Sequence, residues 1–499
     1  MVAARYVTEL TGAWERYADR PAIGTGPALM SYADVREHTY RLAGVLAETG
    51  VGRGSGLACV AGQNRSEVLL VRLAAHVLGA RLTQVVAGPA LYGLEFILRD
   101  CRPDLVLHDT PVPDTGAPRL GLDELLRRAA GREPVPVDVR AREDDVARVT
   151  YTGGTTGLPK GVASTFRAMA ARTTARAADP DRADPVYLSV TSLAQRSGGR
   201  SLEQLRAGGR VEVLAPFTPR DFAAACRRLG RVSTYLTTSM VYRLLDDPVT
   251  AAGVPGLEAV SYGDSPILPA RLREAVTRWG GRWQQGYGMN EAAVISRLTP
   301  ADHAAAVAGR PELLASVGRP VAGVRVEVRD KDGVAVPPGT TGEVWMRSGA
   351  MMAGYWGRPD LTASALRDGW LRTGDLGHLG DDGYLYLDDR VQDVVMVDGD
   401  NVYCVPVEAA MARHPAVGEA AVVGRHSDVT GEEVCAFLVP APGCTPGAGI
   451  ADEACDLVEE ALSPAHRPTA VFWERAIPRT PRGKPDKRRL RERAAGAGG

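Results

Sequence analysis

Eleven consecutive residues carry the densest chemistry in the chain: Tyr151-Thr152-Gly153-Gly154-Thr155-Thr156-Gly157-Leu158-Pro159-Lys160-Gly161. Four glycines let a backbone turn and come close to a ligand. Turned backbone N–H groups form an anion-binding concavity. Three threonine hydroxyls add donors, and Lys160 adds a compact positive charge suited to phosphate. The stretch reads as a cradle for a polyphosphate. It is not a Walker A loop, in which Lys follows Gly and precedes Ser or Thr; here Lys160 stands between Pro159 and Gly161.

The rarity of lysine sharpens this reading. Of 59 basic residues only Lys160, Lys331, Lys484 and Lys487 are lysines. Against an arginine-rich background a retained lysine is informative, because a guanidinium does not replace a compact ammonium at a phosphate. Lys484 closes Pro478-Arg479-Thr480-Pro481-Arg482-Gly483-Lys484. The adjacent run Lys487-Arg488-Arg489-Leu490-Arg491 reads as a solvated helix face.

Three further blocks pair aromatic, carboxylate and guanidinium groups. Gln284-Gln285-Gly286-Tyr287-Gly288-Met289-Asn290-Glu291 offers a flat ring for a purine face and a carboxylate that, with phosphate oxygens, suits Mg²⁺. Gly369-Trp370-Leu371-Arg372-Thr373-Gly374-Asp375 offers a carboxylate able to accept from a vicinal diol. Asp389-Arg390-Val391-Gln392-Asp393 follows it.

In order and spacing these blocks resemble the motifs of the adenylate-forming superfamily: acyl-CoA synthetases, aryl-CoA ligases, adenylation domains and luciferases. The resemblance runs from Val7 to about Arg491. It implies that Thr152, Gly153, Gly154, Thr155, Thr156, Gly157 and Lys160 cradle the phosphates of ATP. Tyr287 stacks on adenine, beside Gly288 and Asn290, and Glu291, with Thr155, holds Mg²⁺. Tyr262-Gly263-Asp264-Ser265-Pro266 forms the other adenine wall through Asp264 and Ser265, while Gly263 and Gly286 border the acyl pocket. Asp375 accepts from the ribose hydroxyls and Arg390 contacts the ribose. Gln392 is the hinge. Lys484 bridges the substrate carboxylate and the α-phosphate, so Lys484 and Glu291 are the catalytic pair.

The chain departs from the family pattern in several places. Asn290 stands for Thr, Asp389 for Gly before the arginine, Gln392 for Lys or Asp at the hinge, and Met396 for a Lys. Gly399-Asp400-Asn401-Val402 keeps the turn that lines the thiol tunnel in CoA-forming relatives. Downstream of Lys160, where relatives carry an aromatic-His pair gating the acyl tunnel, the chain reads Ser192-Leu193-Ala194-Gln195-Arg196-Ser197-Gly198. An unpaired guanidinium in an apolar tunnel costs several kcal/mol. Either Arg196 points outward, or Gln195 and Arg196 line a pocket for a small, polar or anionic acid. The implied reaction is ATP- and Mg²⁺-dependent formation of an acyl- or aryl-adenylate, then transfer to a thiol, with CoA the expected acceptor. Alternatives are loading of an acyl carrier protein, activation of an oxyanion such as nitrite for diazotization of an aryl amine, and a non-catalytic nucleotide-binding relative. The departures suggest a specialised member of secondary metabolism.

The elements that must position these groups are legible in outline. At 499 residues the chain suggests several domains. Strands alternating with amphipathic helices indicate α/β layers. Ser31-Tyr32-Ala33-Asp34 is a capping-box start, and Val35, Leu42, Val45 and Leu46 mark one helical face. Leu57–Val60 reads as a buried strand, Val146–Thr150 as a strand entering the phosphate loop, and Leu122–Ala130 as the one helix between residues 109 and 145. From Val317 to Tyr386 short β-rich runs predict a small β-barrel or sandwich unit, followed by a compact α+β unit. The expected organisation is a large N-terminal domain of layered α/β subdomains plus the barrel, residues 1–389, and a small mobile α+β C-terminal domain, residues 390–499. The tail from Ala494 reads as disordered.

A net charge of −1 gives no global field for nucleic acid or membrane surfaces. Seven scattered cysteines without a CxxC suit a reducing cytosol and no zinc site. No signal segment or membrane-spanning run is legible, so a cytoplasmic enzyme is expected.

Overall fold

The computed structural model describes residues 3–86, 93–152, 159–172, 185–265, 267–397, 400–427, 429–480 and 484–496, without the side chains of Val86 and Thr152. The amino-terminal elements follow their local signals. Ser31 accepts from the Asp34 amide at 3.1 Å, and the Asp34 carboxylate accepts from the Ser31 amide at 2.8 Å, completing the capping box. The helix Tyr32–Glu48 that follows buries Val35, Leu42, Val45 and Leu46 in a core shared with the helix Glu67–Leu78.

Two large sheets carry the site. In one, the strands run in the order Gly354–Tyr355, Lys160–Thr165, Val146–Thr152, Arg81–Val86, Gly56–Ala61, Leu105–His108, Arg119–Gly121. Gly56–Ala61 is buried at every residue, as a parallel strand covered on both faces must be. Val146–Thr152 and Lys160–Thr165 pair antiparallel, with Thr152 opposite Lys160. The ends of the phosphate-loop stretch are thereby pinned to neighbouring strands. Residues 153–158, with the calls on Gly153, Gly154, Thr155, Thr156 and Gly157, lie outside the described residues.

The second large sheet places Leu257–Gly263 and Arg282–Met289 side by side in parallel, and Ala293–Leu298 antiparallel to the latter. The parallel strands and the helices between them form a second core, which includes Leu236, Tyr262 and Trp283. The predicted β-rich unit is an antiparallel sheet of Arg325–Arg329, Gly342–Arg347, Trp370–Leu379, Leu366–Arg367 and Leu385–Arg390. Among the described residues its strand path is open at the ends, within the sequence reading of a small β-barrel or sandwich unit. The last sheet, Val395–Val397, Asp400–Val402, Val417–Ser427, Gly431–Pro440 and Ala470–Trp473, packs with the helices Cys404–Met411 and Ala448–Ala461. No helix among the described residues is long and apolar enough to cross a membrane.

Two expectations about the C-terminus need correcting. The helix Lys487–Gly496 takes in the first three residues of the predicted disordered tail, where Ala494 is fully buried beside Phe437 and Leu490 and its carbonyl accepts from Arg425; residues 497–499 lie outside the described residues. The basic run is not a uniformly solvated face either. Arg488 and Arg489 are exposed, but Lys487 turns inward onto Glu408, Nζ to Oε1 3.3 Å, and Arg491 pairs with Asp393.

Candidate active site

Cross-strand register builds the first half of the site. Asp375 and Arg390 are directly opposed on neighbouring antiparallel strands, and Arg390 Nε lies 3.2 Å from Asp375 Oδ1. The Tyr287 hydroxyl reaches across from another sheet and donates to Asp375 Oδ2 at 2.6 Å. Burial raises the pKa of that phenol, and the facing carboxylate raises it further. Burial works against the charged form of Arg390, but Asp375, Asp393, Tyr287 and Glu291 outweigh it and hold the guanidinium protonated.

The second half hangs on a tight turn. Met289 pairs with Ala293, so Asn290, Glu291 and Ala292 form the turn between two strands. A Cβ at Gly288 would lie 1.9 Å from the Ala293 carbonyl oxygen, so only glycine permits this approach. Ala293 itself is left-handed, φ 65°, a strained conformation for a residue with a Cβ. Glu291 is 6% exposed. Its carboxylate accepts from the Tyr355 hydroxyl at 3.0 Å, and the Lys160 ammonium stands 5.6 Å from the centroid of the same ring. Arg172 braces the turn, donating to the Asn290 carbonyl at 2.9 Å and to the Ala350 carbonyl at 3.0 Å. Burial pulls its pKa down to about 10 against the pull of Glu291.

Tyr355 thus links Glu291 to Lys160, and Tyr287, which precedes the Glu291 turn, is tied to Asp375 and Arg390. Lys484 lies elsewhere in the chain, in a turn where the Thr480 amide donates to the Lys484 carbonyl at 2.8 Å. Gln392 is exposed in the turn after Arg390, whose carbonyl accepts from the Asp393 amide at 2.9 Å. The Asp389 departure has a local explanation. Its buried carboxylate accepts from the Arg390 amide at 2.7 Å and from the Cys404 amide at 2.5 Å. Cys404 opens the helix Cys404–Met411, so Asp389 satisfies one of that helix's unpaired N–H groups.

Where the acyl pocket is expected, a tight recess is lined by Arg196, Arg200, Tyr235, Tyr262, Gly286 and Arg297, with Ser261 and Gln284 also on its lining. Arg196 points in: a Cβ at Gly286 would meet its Nη1 at 3.3 Å, and its guanidinium sits 5.1 Å from the Tyr235 ring centroid. Its nearest carboxylate is Asp264, at 3.7 Å, which takes a left-handed φ of 75°. Asp264 thus faces the recess from the expected adenine wall. Neighbouring Ser265 accepts through its carbonyl from Thr238 Oγ1 at 3.1 Å. A Cβ at Gly263 would meet the Gly286 carbonyl oxygen at 2.8 Å, which keeps both glycines at the wall between the two regions. Gln195 stands at the N-cap position of the helix Arg196–Arg206 without a side-chain capping bond, and is not on the recess lining.

Residues 10–356 match the family described as AMP-binding enzyme, and residues 406–484 match its C-terminal domain. The chain belongs to the AMP-binding enzyme family. Its relatives within the adenylate-forming superfamily include a medium/long-chain-fatty-acid–CoA ligase of Mycobacterium tuberculosis, 32% identical over 97% of this chain and 89% of that one. Among solved structures it is similar to an amide bond synthetase from Marinactinospora thermotolerans, with 32% identity, TM-score 0.87, and coverage of 98% of this chain and 100% of that one. It is also similar to an O-succinylbenzoate coenzyme A synthetase from Bacillus subtilis in complex with ATP and magnesium ion, with 25% identity, TM-score 0.84, and coverage of 97% and 99%. This family member is an adenylate-forming ligase, as its motifs imply.

Reading motifs alone misses Tyr355, Arg172, Arg200 and Arg297. Tyr355 carries a faint signal, an aromatic pair after Gly354. The arginines carry none, since 55 of them are spread along the chain.

Proposed function

We propose that the protein activates a small, polar carboxylic acid with ATP and passes the acyl group to a thiol, with CoA the first candidate acceptor. A carboxylate oxygen attacks the α-phosphorus, pyrophosphate leaves, and an acyl-adenylate forms. The thiol sulfur then attacks the acyl carbonyl and AMP leaves. In this reading Tyr287 packs the adenine, Asp375 and Arg390 take the ribose, Lys160 takes phosphate, and Lys484 stabilises charge shifting at phosphorus. The nearly buried Glu291, one carboxylate that leaves the other positions to phosphate oxygens, fits Mg²⁺. The metal would supply charge neutralisation of the polyphosphate. Residues 390–499 act as the mobile unit, turning at Gln392 between the two half-reactions.

The observation that carries this proposal is that Tyr287 is tied to Asp375, which pairs with Arg390, while the turn that follows Tyr287 brings Glu291 to Tyr355, over whose ring Lys160 stands. The test is acid-dependent ATP–pyrophosphate exchange, then AMP release with CoA, with a phosphopantetheinyl carrier protein, or with neither. Exchange with at least one acid and acceleration by CoA support the reading. ATP binding without AMP release from any acid would leave a nucleotide-binding relative instead.

The guanidinium-lined recess favours a second reading, in which a small oxyanion such as nitrite is adenylated and attacked by an aryl amine. AMP release that requires both nitrite and an arylamine would establish it.

A further inference from the structure

We propose that the recess recognises a second anionic group, a carboxylate or similar oxyanion carried on the acid remote from the carboxylate that is activated. This rests on the ligase reading and narrows its substrate class to compact dianionic acids. Three guanidiniums, from Arg196, Arg200 and Arg297, line one tight recess. Helical spacing puts Arg196 and Arg200 one turn apart on one face. Register brings Arg297 opposite Gly286 on the facing wall.

Their compensation inside the protein is uneven: burial works against the Arg196 charge, but Tyr235, Asp264, Glu203 and Tyr187 outweigh it. Asp264 is an exposed residue 3.7 Å from Arg196. Glu203 lies 3.5 Å from Arg200. The Arg297 guanidinium has no hydrogen bond or ion pair among the described residues. Burial lowers its pKa, and the charges of Arg200 and Arg196 lower it further against the opposing pull of Glu203. Three cations thus face two partly exposed carboxylates in a space closed by Tyr235 and Tyr262.

Like charges held together in a confined space favour an incoming anion. A guanidinium fork matches a planar carboxylate through two parallel N–H···O bonds. An apolar acyl chain would instead leave desolvated guanidiniums without acceptors. Part of the polar wall is committed: Gln284 donates to Ser261 Oγ at 2.6 Å, and Arg200 reaches the same oxygen at 3.4 Å. Arg297, Arg196 and the buried Tyr235 hydroxyl, which has no hydrogen-bond partner among the described residues, are the groups that face a ligand. The recess is tight, so it suits one anionic group of the acid and not a long apolar chain.

The test compares kcat/KM for AMP release between acids differing only in the second carboxylate: butyrate against succinate, and benzoate against each benzenedicarboxylate. The enzymes are the wild type, Arg297→Gln and Arg196→Gln, with thermal melting to check folding. The wild type should favour at least one dianionic acid by about tenfold or more, and either folded variant should reduce that preference by about tenfold. If one variant fails to fold, the other carries the test. A wild type that prefers the monocarboxylate in every pair, or a preference unchanged in a folded variant, overturns the inference. Turnover of monocarboxylates alone overturns it while leaving the ligase function intact, whereas AMP release from no acid removes both.

Discussion

The Tyr287 hydroxyl donates to Asp375 at 2.6 Å, and this one bond joins two sheets whose residues are 88 positions apart. It fixes the ring plane and orients a carboxylate that is 7% exposed. A carboxylate has about four acceptor directions, so Asp375 can hold Tyr287 and Arg390 and still accept from a ribose diol.

Truncating the two partners should therefore have unequal effects. Asp375→Ala removes the acceptor for the ribose and leaves Arg390 without its nearest carboxylate; a charge-assisted hydrogen bond is worth about 1.5–3 kcal/mol. The KM for ATP should rise by about tenfold to a hundredfold. Tyr287→Phe keeps the stacking face and loses only the tether, so KM should rise by no more than a few fold. Steady-state kinetics varying ATP at saturating acid measure both, and equal effects would contradict the ribose assignment.

Lys484→Ala should separate the half-reactions. A donor used at the charge-shifting phosphorus is typically worth about 10²–10³ in rate, so acid-dependent pyrophosphate exchange should fall by that factor. Thioester formation from pre-formed acyl-adenylate and CoA should survive. Exchange at the wild-type rate would remove Lys484 from the chemistry.

What the sequence made legible divides along a physical line. The strand entering the phosphate loop was readable from local order, and Glu291, Asp375 and Arg390 were singled out by the motifs they share with the family. The long-range partners were not. Tyr355 meets Glu291 from 64 residues away, and Arg297 enters the recess through strand register. The basic run 487–491 misled because its local pattern says solvent, whereas a buried carboxylate on another helix draws Lys487 inward. The tail misled because Ala and Gly carry little pattern, although Ala494 fills a core position.

That buried pair gives a stability prediction. Lys487 and Glu408 have side chains only 13% and 15% exposed. Burial disfavours the Lys487 ammonium, but Glu408, with Cys404, Asp389 and Asp393, more than reverses this and keeps it charged. Removing one member leaves the other buried without its counter-charge, which costs about 3–5 kcal/mol. Lys487→Met should lose stability in that range by chemical denaturation. Lys487→Met with Glu408→Leu should recover most of it, because apolar replacement of a whole buried pair is often near neutral. A double variant no more stable than Lys487→Met would show that the carboxylate does not depend on this lysine.

The wall of the recess also predicts a pH dependence. His303, 1% exposed, bonds the Tyr262 hydroxyl through Nε2 at 2.9 Å and the Thr299 carbonyl through Nδ1 at 2.7 Å. The carbonyl can only accept, so Nδ1 carries the proton and Nε2 accepts from Tyr262. Burial holds the pKa of His303 below its ordinary value, despite the opposing Thr299 carbonyl and Asp302. The unfolded chain therefore binds a proton at this site more readily than the folded one. By linkage the associated stability is fully present above the unfolded value of about 6.5 and is lost as pH falls towards the folded pKa. Protonation would also remove the acceptor that anchors Tyr262. Denaturation midpoints should accordingly drop between about pH 7.5 and pH 5 in the wild type. His303→Gln keeps an acceptor but does not titrate, so its midpoint should drop less over the same interval. The buried His76, also held low by burial, contributes equally to both proteins, and the difference between the two curves reports His303. Parallel curves would place the titration elsewhere and leave Tyr262 positioned by packing alone.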